Sequence, residues 1–108
     1  IPKINFQEWD IKEKISPTNL TFSGTVINEG GRRGDFIRVV YHFWENDTNL
    51  LLTDSTFISG NTIAYMNGVI SDASLDPGQT GTFNLSIVIP DSVNVTYWTK
   101  EIRADVFE

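Results

Sequence analysis

The sequence predicts an all-β protein, an antiparallel sandwich of about seven short strands. Three observations predict it. Apolar residues recur at every second position in run after run, the period of a half-buried strand. Turn-forming groups such as Asn28-Glu29-Gly30-Gly31 and Ser59-Gly60-Asn61 break those runs at short intervals. Beyond the N-terminal stretch, no segment sustains the 3.6-residue period of an amphipathic helix.

The elements follow in order. Asn5 to Ile15 reads as a strand or a short helix, and the alternation of Trp9 and Ile11 favours strand. Leu20, Phe22, Gly24 and Val26 form one face of the next strand. In Phe36 to Glu45, Ile37, Val39, Tyr41 and Phe43 share one face; Phe36, Arg38, Val40, His42 and Trp44 share the other. Leu50 to Ile58 is a strand with a polar middle. Between residues 59 and 74 the assignment stays open, although Asn67-Gly68 is a hairpin signal. The turn Leu75-Asp76-Pro77-Gly78 leads into a strand with Phe83, Leu85, Ile87 and Ile89 on one side. Tyr97 to Phe107 is the last strand, with Trp98, Ile102, Ala104 and Val106 inward. The expected core is Phe22, Val26, Ile37, Val39, Tyr41, Phe43, Phe83, Leu85, Ile87, Ile102 and Ala104.

A chain of 108 residues fits one domain, residues 1–108, with one two-layer core. It begins at Ile1 without a basic-plus-apolar leader, which suggests a piece of a longer product; a signal peptide, lipobox or anchor would lie outside it. No apolar run approaches the ~20 residues of a membrane helix, so the domain itself is not expected to span a membrane. With 14 acidic against 8 basic residues the net charge is −6, which argues against nucleic acid. The absence of Cys excludes disulfides, thiolate catalysis and Cys-based zinc sites.

Three segments carry a family resemblance: Gly24-x-Val26-x-Asn28, Tyr41-x-Phe43-Trp44-Glu45, and Leu75-x-Pro77-Gly78 with Phe83 following. Over roughly residues 20 to 107 they resemble the FxLYD family, and more distantly the CARDB group, of bacterial and archaeal extracytoplasmic domains. Tyr41, Phe43, Trp44 and Glu45 stand where that family has Phe, Leu, Tyr and Asp, similar in class but none identical. The stretch between Ile58 and Leu75 is longer than the family's compact pattern. The resemblance implies an immunoglobulin-like sandwich at the cell surface or envelope, with no catalytic residues to transfer. BsuPI, a proteinase-inhibitor β-sandwich, is the second resemblance.

Candidate sites are few. His42 is the single histidine, and a hydrolase would need it gathered with at least two acids in a pocket. The groups Glu45-Asn46-Asp47 with Asp54, and Asp72 with Asp76, lack the D-x-[DN]-x-[DN]-G spacing of a calcium loop and read as turn formers. Arg33-Gly34-Asp35 matches an integrin-binding tripeptide, which arises readily by chance in loops. No catalytic residue, cofactor or metal is expected. Asn19, Asn46, Asn84 and Asn94 each begin an N-x-[ST] sequon, against roughly one and a half expected by chance. Phe36, Trp44, Tyr97 and Trp98 form a candidate binding face for protein or carbohydrate. The expected function is a non-catalytic extracytoplasmic module for protein contacts or domain spacing. A ligand-binding or inhibitor-like domain is the alternative.

Overall fold

The structure is a computed structural model, described here for residues 3–15, 19–64, 68–90 and 92–105. It is all-β and antiparallel. Its strands are β1 (Ile4–Phe6), β2 (Lys12–Ile15), β3 (Asn19–Asn28), β4 (Asp35–Asn46), β5 (Asn49–Phe57), β6 (Asn61–Ala64), β7 (Ile70–Ser74), β8 (Thr80–Val88) and β9 (Tyr97–Asp105). In one sheet β3 pairs with β8 on one side and with β1 and β2 in succession on the other. The second sheet has the order β5-β4-β9, and β6-β7 is a separate hairpin.

The N-terminal stretch, read as a strand, is two short strands broken by a 3-10 turn, Glu8–Asp10. Gly24 explains the break. A Cβ there would stand 2.5 Å from Ile11 Cδ1 and 3.1 Å from the Asp10 carbonyl. The chain therefore crosses β3 closely at that point and inserts Ile11 toward the core. Trp9, placed with Ile11 by alternation, sits in the turn and is 81% exposed.

The core expected from alternation forms between the sheets. Phe22, Val26, Ile37, Val39, Tyr41, Phe43, Phe83, Leu85 and Ile87 are buried, while Ile102 and Ala104 pack against them half-buried. Phe22 is the centre: its ring stacks on Tyr41 at 4.2 Å, tilts against Phe43 at 5.7 Å and meets the Trp98 ring edge-on at 5.2 Å. Leu20, Ile58, Ala73 and Leu75 complete the cluster. The Tyr41 hydroxyl is buried without a hydrogen-bond partner among the described residues, and burial, helped by the Glu13 carboxylate, raises its pKa. Val106, expected to face inward, lies outside the described residues, as does Asn67 of the hairpin signal. Gly68, beside it, has φ +88, and the antiparallel pairing of β6 with β7 resolves the open stretch as a hairpin.

Two motifs meet at one pole of the sandwich. Asn28, the last residue of β3, is fully buried. Its amide nitrogen donates to the carbonyls of Arg32 (2.7 Å) and Leu75 (2.9 Å). Its side-chain oxygen accepts from the backbone N–H of Gly30 (2.9 Å) and Lys3 (3.3 Å). The Asn28 carbonyl accepts from Gly78 N–H at 2.7 Å. Gly78 occupies the left-handed position (φ +86) of a turn closed by Gln79 N–H to the Asp76 carbonyl, with Pro77 setting the preceding φ. The same pole holds the start of β1, where Ile4 pairs with Asn28, and the end of β9, where Asp105 pairs with Asp35.

Because the Asn28 amide uses both donors and accepts twice in a buried site, its removal strands several backbone groups. Asn28→Ala is expected to cost about 2–4 kcal/mol in urea unfolding, and Asn28→Asp at least as much at neutral pH because a carboxylate would face two carbonyls. A loss under about 0.5 kcal/mol for Asn28→Ala would remove the node from its structural role.

Candidate functional site

The outer face of the β5-β4-β9 sheet carries the most chemistry. Its rows follow from register. Leu50, Trp44 and Tyr97 lie side by side; then Thr53, His42 and Thr99; then Ser55, Val40 and Glu101; then Phe57, Arg38 and Arg103. Residues of equal parity on three neighbouring strands point the same way, which is why β4's outward residues meet those of β5 and β9.

His42 sits at the centre of a polar chain. Its Nδ1 is 2.9 Å from Thr53 Oγ1, and its Nε2 is 2.7 Å from Glu101 Oε2. Arg103 Nε donates to the other Glu101 oxygen at 2.8 Å. The Arg103 hydrogen bond, followed by that of His42, holds the Glu101 carboxyl below its usual pKa, and Glu101 in turn raises that of Arg103. The order hydroxyl–imidazole–carboxylate resembles a hydrolytic triad. Among the described residues His42 nevertheless meets one carboxylate, that of Glu101, not two. β4 lies between β5 and β9, and His42 is paired across both, with Thr53 on one side and Thr99 on the other. The residues lining the clefts described below do not include His42, Thr53 or Glu101.

The four residues of the expected binding face do not share one face. Trp44 and Tyr97 are neighbours with parallel rings, 6.3 Å apart at 8°. Trp44 is half-buried, and its Nε1–H donates to Thr99 Oγ1 at 3.1 Å. The Tyr97 hydroxyl donates to Asp47 Oδ1 at 3.1 Å. Trp98 follows Tyr97 in the strand and points to the opposite face, where it meets Phe22 and donates to Glu13 Oε2 at 3.1 Å. Phe36 lies eight residues from Trp44 along β4, roughly 26 Å at strand rise. It has φ +49, unusual for a bulky residue, where the β4–β9 register shifts. Its ring meets Phe57 edge-on at 6.4 Å, and the two line a cleft of about 270 Å³ with Ile58, Ile70, Asp72 and Ala73.

Other placements are plain. The sequon asparagines Asn19, Asn46, Asn84 and Asn94 are all exposed. Asp35 of the Arg33-Gly34-Asp35 tripeptide is buried, its Oδ1 accepting from Ser74 (2.6 Å) and Arg33 (3.0 Å), so the tripeptide is not a projecting ligand loop. Among the described residues no cluster of three metal-ligating side chains occurs, and no helix is long and apolar enough to cross a membrane. A polar cleft of about 500 Å³ lies against β3 and β8, lined by residues that include Asp10, Lys12, Thr25 and Asn84. Sequence reading missed Lys100. By strand parity it faces inward with Trp98 and Ile102; its ammonium lies over the Phe6 ring at 5.2 Å and pairs with Glu8 at 3.3 Å.

These features define a small immunoglobulin-like antiparallel sandwich. No protein-family model matches the sequence, and no curated protein does. Two structures of beta-glucosidase 3B from Thermotoga neapolitana, one in complex with alpha-D-glucose and one with glucose, are similar in fold, each with TM-score 0.51 and 15% identity. They cover 96% and 95% of this chain but 17% and 16% of the glucosidase chain. This chain thus spans about a sixth of that protein's length, and the likeness shows the fold alone.

A depressed carboxyl pKa contributes stability that is present above the unfolded value and is lost as pH falls through the folded one. Carboxyl NMR titration should place the Glu101 midpoint below that of an ordinary glutamate. Arg103→Ala should move it up more than His42→Gln does. The reverse order would show that the imidazole, not the guanidinium, dominates the site.

Proposed function

We propose that this domain is a non-catalytic extracytoplasmic module of a cell-surface or envelope protein, acting through protein contacts or as a spacer between domains. The observation that carries this reading is the open side of the sandwich between β1 and β9, where Ile4, Phe6, Ile102 and Ala104 are only half-buried. Such a surface suits a polypeptide better than a small substrate. The exposed sequons support an extracytoplasmic location, as does the resemblance to the FxLYD family. The Thr53–His42–Glu101 chain fits a structural role here, since Arg103 shares its carboxylate and none of the three residues lines a described cleft.

Protease added to intact cells that make the protein is expected to degrade the domain. The intact mass should exceed the sequence mass by glycan on one or more of the four asparagines if the host glycosylates N-x-[ST] sites. Protection of the domain until the cells are lysed would overturn the extracytoplasmic reading.

One observation favours a second reading, a ligand-binding domain for carbohydrate or protein: the parallel Trp44 and Tyr97 rings beside Thr99 and His42 on an open face. Under it, soluble oligosaccharides quench tryptophan fluorescence in the wild type, and Trp44→Ala weakens binding by roughly two- to tenfold, since such stacking is worth about 0.5–1.5 kcal/mol. Equal quenching in Trp44→Ala and wild type would exclude that face.

A further inference from the structure

The fold holds its four sequons in different ways. Asn46 is the last residue of β4, and Asp47 and Thr48 make the two-residue turn into β5. There the Asn46 side-chain oxygen accepts from both the backbone N–H and the hydroxyl of Thr48, each at 3.0 Å. The tripeptide is thus an Asx turn, closed a second time by its own hydroxyl. Among the described residues the Asn46 amide nitrogen has no hydrogen-bond partner, and the residue is exposed. The Tyr97 hydroxyl donates to Asp47, the middle residue, so β9 braces the turn from the side.

The other three tripeptides are not presented this way. Asn19 and Asn84 lie within ladders, opposite Val88 and Ser23, and a strand holds the tripeptide extended rather than turned. At Asn94 the two donors of the third residue are committed elsewhere. Thr96 N–H donates to the Trp44 carbonyl at 2.9 Å. The Thr96 hydroxyl lies 3.2 Å from the Trp44 carbonyl oxygen and 2.6 Å from that of Glu45. The pair of groups that closes on the carboxamide at Asn46 therefore pins the backbone of β4 at Asn94.

We infer that Asn46 is the site at which the folded domain accepts an N-linked glycan, from an oligosaccharide carried on a lipid pyrophosphate. In the transfer a bond forms between Asn46 Nδ2 and C1 of the sugar. The bond from C1 to the phosphate oxygen breaks, and its electron pair leaves with the lipid pyrophosphate. One Nδ2 proton passes to a base of the transferase. Two donors already aimed at Oδ1 stabilise the negative charge that gathers there as Nδ2 gives up that proton. A hairpin turn also reaches a transferase without any strand leaving its ladder. The inference rests on the extracytoplasmic reading above and narrows its glycan to one residue.

The folded 108-residue domain is incubated with a purified oligosaccharyltransferase that acts on such sequons and with its lipid pyrophosphate-linked oligosaccharide. Peptide mass mapping over time follows each asparagine, and free peptides carrying the same tripeptides are the unfolded reference. In the domain Asn46 should be modified about tenfold or more faster than Asn19, Asn84 or Asn94, since opening the backbone at those sites breaks hydrogen bonds. In the free peptides that lead should disappear. Asn46→Gln should remove the early product. A variant with two glycines inserted after Thr48 keeps the tripeptide and relaxes the turn, and it should slow Asn46 about threefold or more. Earlier modification of another asparagine, the same lead for Asn46 in the free peptides, or an undiminished rate in the glycine variant would overturn the turn as the acceptor. A domain that is cleaved on intact cells yet stays unmodified at Asn46 loses this site while the extracytoplasmic reading survives.

Discussion

The buried carboxamide of Asn28 is the constraint on which one pole of the molecule depends. It closes the loop after β3 through Gly30 and Arg32, holds the start of the N-terminal strand through Lys3, and fixes the turn before β8 through Leu75. Leu75 in turn exchanges backbone bonds with Gly34, next to the first residue of β4. One side chain therefore ties the end of a strand in one sheet to the start of a strand in the other. Asparagine suits the position because it offers two donors and an acceptor without charge. Aspartate would lack the donors, and an apolar residue would leave backbone groups buried and unpaired. The node also explains why Gly24-x-Val26-x-Asn28 and Leu75-x-Pro77-Gly78 belong to one pattern: they are two halves of a single hydrogen-bonded joint.

The elements legible in the sequence were those with a clean period of two. β8 alternates strictly between exposed and buried along its length, and β4 places Ile37, Val39, Tyr41 and Phe43 inward as its pattern requires. Ile58, Ala73 and Leu75 were not legible as core, because each sits at a bridge, bulge or turn where the chain changes sheet and parity carries no information. The break between β1 and β2 was hidden for a related reason. It is imposed by close approach at Gly24, a tertiary contact, and not by any turn signal within residues 5–15. Lys100 was legible by parity but is charged, so composition argued against an inward position that Phe6 and Glu8 make tolerable.

The candidate site shows the same division. Parity put Trp44 and His42 on one face, and register brought Tyr97 and Glu101 to them. Adjacent residues cannot share a strand face, which separates Trp98 from Tyr97. Strand length separates Phe36 from Trp44. The His42 chain needed the pairing of three strands to assemble, and no local sequence pattern encodes a contact between residues 53, 42 and 101. Its members stay half in water, where such hydrogen bonds orient side chains more than they stabilise the fold.

The strand count has a geometric consequence. Ile4 pairs with Asn28 and Asp105 with Asp35, and these four residues lie at the same pole. A polypeptide that enters at Lys3 and leaves at Asp105 does both at one end of a body 46 Å long. The Asn28 joint therefore sits between the first and last described strands, and its loss would loosen both at once. Trp44, Tyr97 and the β4–β5 turn lie at the opposite pole, so changes there leave that joint untouched.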